Sequence, residues 1–245
     1  MVVVVTGASS GIGAALAAEL GRRGQAVVLA ARRLPELREA AERCGNHALA
    51  VQADVTRREE VQRLLGAALQ RFGRVDAWVN NAGRGITRPV EQLSDDDVDA
   101  MVRDNLKSAL YGIQAVLPHF KERGEGAIVN VSSFLARAPF ATFRSAYSAS
   151  KAALNSLGET LRFELSQQYS GIRVITVMPG VVATDFGLNA LGGGPDSRAL
   201  PNAQDATDVA RIVADAIPTA RGDVYTRPGL LDAAVEHLRR LGGAA

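Results

Sequence analysis

Apolar positions along this chain fall into two recurring patterns. One is a short run of β-branched and small residues; the other is an apolar residue every three or four positions. Residues 2–6, Val-Val-Val-Val-Thr, are an unbroken run of the first kind. Such a run predicts a strand buried on both faces, as strands of parallel sheets are. Runs at 25–31, 48–51, 75–79, 127–131 and 172–178, and a short one at 223–225, predict further strands. Helical spacing predicts helices at 14–20 and 35–43 and from near Arg57 through Leu69. It predicts others from Val98 to between Pro118 and Gly124, through Tyr147 to Leu165, at 206–217 and at 235–241. Strands and helices alternate at lengths that suit crossover connections. The pattern predicts a single α/β domain over 1–245, a doubly wound, mainly parallel seven-stranded sheet with helices on both faces. Residues 183–204 are rich in Gly, Asn and Pro and carry neither pattern. They read as a mobile lid with little regular structure, since loops of this length inside a domain are usually functional.

Composition fits one core. Of the 245 residues 47% are hydrophobic and 22% charged, and no Pro/Ser-rich linker divides them. The single Cys44 excludes an internal disulfide and a cysteine metal cluster, so no metal is expected. Its polar, helical-looking surroundings suggest an incidental thiol. Net charge is +2 with both signs intermixed, which argues against nucleic-acid binding. The apolar run at 2–5 is far too short for a secretion signal or a membrane span, which makes the cytoplasm the default compartment.

Chemistry concentrates where strands end. Gly7-Ala8-Ser9-Ser10-Gly11-Ile12-Gly13 links the first strand to the first helix. Strand, glycine-rich turn and helix is the layout of a phosphate-binding unit. Gly7 suits a tight turn, Gly11 and Gly13 suit close backbone approach, and the helix start offers free N–H groups to an anion. Arg32-Arg33 follows the second strand, where an acidic residue would favour NAD and an arginine would meet the 2′-phosphate of NADP. A guanidinium grips a phosphate that a carboxylate repels, so NADP is preferred. Asp54-Val55 follows the third strand; Asp54 either accepts from an adenine amino group or caps the next helix. Asn80-Asn81-Ala82-Gly83 after the fourth strand either ties the sheet and floors a pocket or is a plain turn. Tyr147 and Lys151 lie four positions apart, on one helical face. A fixed ammonium favours phenolate and moves tyrosine toward working pH, which makes the pair a candidate acid–base unit.

Taken in order, Thr6-Gly7-x-x-x-Gly11-x-Gly13, Asp54, Asn80-Asn81-Ala82-Gly83, Asn105, Ser133, Tyr147-x-x-x-Lys151 and Pro179-Gly180 resemble the short-chain dehydrogenases/reductases. The resemblance covers nearly the whole chain and implies a Rossmann domain. It implies that Tyr147 is the acid/base, that Lys151 lowers its pKa and bonds the nicotinamide ribose, and that Ser133 holds the substrate oxygen. Ser132 is a rival to Ser133, which is preferred because it stands at the strand's outer end. By the same resemblance Asn105 helps hold a proton-relaying water. Pro179, Gly180, Val182 and Thr184 meet the nicotinamide end, and Gly7, Ser9, Ser10, Ile12, Asn81, Ala82 and Gly83 line the nucleotide groove.

The expected activity is hydride transfer between NADP(H) and a ketone or secondary alcohol, a small-molecule partner. The alternative is a nucleotide-binding regulatory protein that lost the chemistry. A lyase or epimerase on this fold would usually have a longer C-terminal part than this chain has room for. Phe134, Leu135, Pro139, Phe140 and Phe143 suggest an apolar substrate wall. The family also suggests a homodimer or homotetramer built from the helices of Asn105 and Tyr147.

Overall fold

The computed structural model describes residues 1–242. Its strands are β1 (Val2–Thr6), β2 (Ala26–Ala31), β3 (Ala48–Gln52), β4 (Ala77–Asn80), β5 (Gly126–Val131), β6 (Ile172–Met178) and β7 (Asp223–Tyr225). They form one seven-stranded sheet in the order β3-β2-β1-β4-β5-β6-β7, parallel at every pairing. The predicted doubly wound sheet is therefore present, and β4 begins two residues later than its apolar run.

Side-chain alternation along β1 divides the core. Val3 and Val5 point into a layer with α1 (Gly11–Arg22), α2 (Leu34–Glu42) and α7 (Ala206–Thr219). Val2 and Val4 point into the opposite layer with α3 (Arg58–Phe72), α5 (Ser108–Arg123) and α6 (Ser145–Ser166). Successive strand residues face opposite sides, so an all-apolar strand feeds both layers. Cys44 belongs to the first layer. It is buried and its Sγ donates to Ala40 O at 3.1 Å, so it is a packing residue rather than a thiol in polar surroundings.

Two helical predictions change in detail. The stretch from Val98 is not one continuous α-helix: α4 (Asp95–Met101) passes into a π-helical segment, Val102–Lys107, before α5. The last helix, α8 (Leu230–Leu241), starts five residues earlier than its predicted start, behind Gly229 in the left-handed region. Among the described residues no helix is long and apolar enough to cross a membrane. Among them, no cluster of His, Cys, Asp or Glu is placed to hold a metal ion.

Candidate active site

Strand order reverses between β1 and β4, and a crevice opens there at the carboxyl ends of the strands. This is where open α/β sheets bind ligands. Thr6 fastens the two strand exits together. Its Oγ1 donates to Val79 O at 3.1 Å and accepts from the N–H groups of Asn81 and Ala82 at 3.0 and 3.1 Å. Asn81 Nδ2 donates back to Thr6 O at 2.9 Å. Asn80 binds the next strand, its Nδ2 donating to Asn130 Oδ1 at 2.9 Å. The two asparagines thus tie the sheet instead of forming a plain turn.

The glycines are where the backbone needs them. Gly7 has φ +65°, and a Cβ there would come within 2.8 Å of Ala82 Cα. Gly11 has φ +56°, and a Cβ on Gly13 would strike Gly7 O and the Asn81 amide. A side chain at these positions would close the cradle. Ser10 N-caps α1 without a side-chain bond to it, so the first N–H groups of α1 stay free for an anion. The residues present therefore fit a diphosphate.

Arg33 reaches over this turn. Its Nη2 donates to Ser9 Oγ at 3.2 Å and Ser10 Oγ at 3.1 Å, while Glu36 lies 3.4 Å from Nη1. Arg32 and Asp54 also line the crevice. Asp54 does not cap α3, whose N-cap is Arg57. Instead its Oδ1 accepts from Thr56 N–H at 3.0 Å and Thr56 Oγ1 at 2.7 Å, a local turn that leaves the second oxygen unbonded. Burial opposes its charge, but the Thr56 bonds, with Arg32 and Arg57, prevail and hold its pKa below the usual carboxylate value.

Tyr147 and Lys151 lie in the first turns of α6 and both are buried. Lys151 Nζ donates to Val131 O at 2.8 Å and stands 6.0 Å from the Tyr147 ring centroid. Burial alone lowers the lysine pKa to about 8. It pushes Tyr147 up to about 12, against the opposing pull of the Ser133 hydroxyl and the Arg144 guanidinium. In this structure desolvation therefore outweighs the neighbouring charges, the reverse of the expected lowering. Ser133, not Ser132, is the hydroxyl against Tyr147; Ser132 Oγ points to Lys151 O at 3.4 Å.

Asn105, in the π-helical segment, is fully buried. Its Oδ1 accepts from Arg84 N–H at 3.0 Å, and its Nδ2 donates to Arg84 O at 3.0 Å and Met101 O at 3.2 Å. The crevice has a volume of about 690 Å³. Every site residue expected from the sequence lines it except Gly13 and Asn105, which stand behind the lining. Phe134, Leu135 and Phe143 form part of the wall, whereas Phe140 turns outward against His237, ring centroids 5.2 Å apart. Sequence reasoning passed over Arg144 and Phe186, both in the crevice. Arg144 had a local signal, lying three positions before Tyr147 at the head of α6. Phe186 had none, since only folding brings its ring to 5.3 Å from that of Tyr147.

A doubly wound parallel sheet with a glycine cradle at its switch point and a buried Tyr/Lys pair beside it defines a dinucleotide-binding α/β protein. The family model for short chain dehydrogenases matches residues 1–190. An uncharacterised oxidoreductase of Staphylococcus epidermidis is 35% identical over 192 residues, covering 76% of this chain and 82% of that relative. A short-chain dehydrogenase/reductase of Burkholderia phymatum, solved with NAD, superposes with TM-score 0.89 at 26% identity, covering 98% of this chain and 94% of that one. An alcohol dehydrogenase of Thermococcus sibiricus, solved with 5-hydroxy-NADP, gives 0.79 at 28% identity, covering 91% and 94%. The chain belongs to the short-chain dehydrogenase/reductase family.

Proposed function

We propose that the protein is an NADP-dependent oxidoreductase interconverting a ketone and a secondary alcohol, with Tyr147 as proton donor and acceptor. The convergence of Tyr147, Ser133 and Lys151 at the open end of β5, inside the crevice beside the glycine turn, is the observation that supports this best. Bound NADP(H) supplies or receives the hydride. The Tyr147 hydroxyl gives its proton to the carbonyl oxygen in reduction and takes it back in oxidation. Its raised pKa keeps it protonated at neutral pH, the form that reduction requires. Ser133 holds the same oxygen and stabilises the charge that develops on it. Lys151, fixed on Val131 O, keeps an ammonium beside the phenol and favours phenolate as the proton leaves. Its remaining N–H donors suit ribose hydroxyls. Asn105 acts as a positioning residue, because its side-chain amide is spent on Arg84 and Met101.

The preference for NADP rests on Arg33, which brings a guanidinium to Ser9 and Ser10, and on Arg32 in place of an acidic residue at the β2 exit. Pro179 to Thr184 close over the nicotinamide end. Fluorescence titration should give a dissociation constant for NADPH roughly 10- to 100-fold below that for NADH, the worth of one charged hydrogen bond. Equal affinities would remove the NADP assignment. With the preferred cofactor, Tyr147→Phe should lower carbonyl turnover on the order of 10²–10⁴-fold while cofactor affinity persists. Full turnover by that variant would overturn the role given to Tyr147.

A further inference from the structure

Arg144 is a charge in the crevice that the chemistry above does not use. It N-caps α6 and is only 7% exposed. Burying a cation is costly unless an opposite charge answers it. Among the described residues no carboxylate pairs with Arg144; Asp185, next to Phe186 in the crevice lining, is paired to Arg198 at 3.0 Å. The guanidinium carries several N–H donors, yet its side chain makes one hydrogen bond, Nη1 to Ile86 O at 3.2 Å. The rings of Phe143 and Phe186 lie 5.4 and 5.9 Å from its Cζ. They pack beside the charge without neutralising it. Gly85 and Gly194 make the slot: a Cβ on either would come within 2.9 Å of Nη1 or 3.1 Å of Nη2. Phe186 also packs on Tyr147, so cation, ring and phenol border one compartment.

Resting on the oxidoreductase reading, we propose that Arg144 receives a carboxylate of the substrate, so that the compound reduced at Tyr147 is an oxo acid. A guanidinium matches a carboxylate with two parallel hydrogen bonds, which fixes orientation as well as charge. Hydride from NADPH goes to the ketone carbon and the Tyr147 proton to its oxygen. The carboxylate leaves unchanged, and the product is the hydroxy acid. Arg144 is thus a specificity residue. Its charge also pulls against the rise in the Tyr147 pKa, so an anion bound on it would tune the acid.

The test compares acids with their own methyl esters, using full-length protein and NADPH. Benzoylformate, 3-oxobutanoate and 4-oxopentanoate move the ketone stepwise away from the carboxylate. The expected result is an acid favoured over its ester by about 100-fold in kcat/KM for at least one pair, mostly through KM. Arg144→Gln should collapse that ratio to a few-fold, and Arg144→Lys should keep part of it. A merely structural arginine predicts instead a lowered Tm and equal losses on acid and ester, which would overturn the proposal. So would a wild-type enzyme that reduces the esters as well as the acids, an outcome that leaves the oxidoreductase reading standing. A protein that reduces neither, yet turns over a neutral ketone such as cyclohexanone with NADPH, would overturn this proposal and leave that reading standing. The wild-type ratio decides even where Arg144→Gln does not fold.

Discussion

Lys151 is a buried ammonium on α6 with a backbone carbonyl, Val131 O, as its bonded partner. Its pKa is about 8 in the folded protein against 10.5 for a free lysine, and burial is the cause. Below pH 8 both states carry the proton, and the folded state bears the full cost of the buried charge. Between about 8 and 10.5 the unfolded chain keeps a proton that the folded chain has released, so stability rises with pH. Tyr147 works the other way, but only from pH 10 toward 12, where the unfolded phenol ionises first. The clean window is therefore pH 8 to 10. Urea denaturation across it should show wild type gaining about 2 kcal/mol relative to Lys151→Met. A constant difference would mean that the lysine is neutral throughout or solvated. The sequence revealed this pair by its four-residue spacing and predicted that charge would dominate. It was silent on desolvation, because what covers the two groups comes from segments far away in the chain, Phe186 against Tyr147 and Gly83 against Lys151.

The passage from α4 to α5 is where an element does what its apolar pattern did not announce. Val98, Met101, Val102, Leu106, Leu110 and Ile113 keep a helical rhythm, and the helix is there. What the rhythm hides is the π-helical turn at Val102–Lys107, which turns Asn105 inward to both backbone groups of Arg84. Asparagine supplies an acceptor and a donor at once, which no apolar residue of that size does. π-helical turns inside α-helices often occur at functional sites. Asn105 was legible as a motif residue; its partners were not, since Arg84 follows a strand exit whose place depends on the whole sheet. Asn105→Ala would strip a partner from three backbone groups, Arg84 N–H, Arg84 O and Met101 O, and should cost about 2–4 kcal/mol in chemical denaturation. Gly83 sits against Asn105 Oδ1 and lines the crevice, so NADPH affinity should fall as well. A variant of wild-type stability would mean that water replaces the amide without cost.

At the scale of the molecule, we propose that the 183–204 segment is a lid that can open while the sheet stays folded. The strand pattern, the order of elements and the crevice at the switch point were readable because β-branched runs and glycine turns carry them locally. How the long segment docks was not, because it lies on other loops and not on a periodic face. Its ends are stitched together, Ala183 N–H to Gln204 O at 2.8 Å and Gln204 N–H to Val181 O at 2.9 Å. One middle point is fastened to the β4 exit loop, Leu191 N–H to Gly85 O at 2.9 Å and Thr87 N–H to Leu191 O at 2.8 Å. Beyond Leu191 the regular structure is one short 3₁₀ turn, Ser197–Ala199. Arg198 in that turn is half exposed and held by Asp185 and Asp196, pairs that salt weakens. Pro195, Ser197 and Leu200 face the crevice, so a ligand there touches the same stretch from within. Opening around Arg198 breaks its two ion pairs and the Arg227 Nη1 bond to Asn202 O at 2.9 Å, not the contacts of the sheet, so limited trypsin digestion of the native protein should cut first after Arg198. NADPH at about 100 times its dissociation constant should slow that cut by roughly 100-fold if the opened form releases the cofactor. Added salt should quicken it by loosening the Arg198 pairs. First cleavage in α5 or α6, or a rate at Arg198 indifferent to NADPH, would show that this segment is part of the rigid body and no lid.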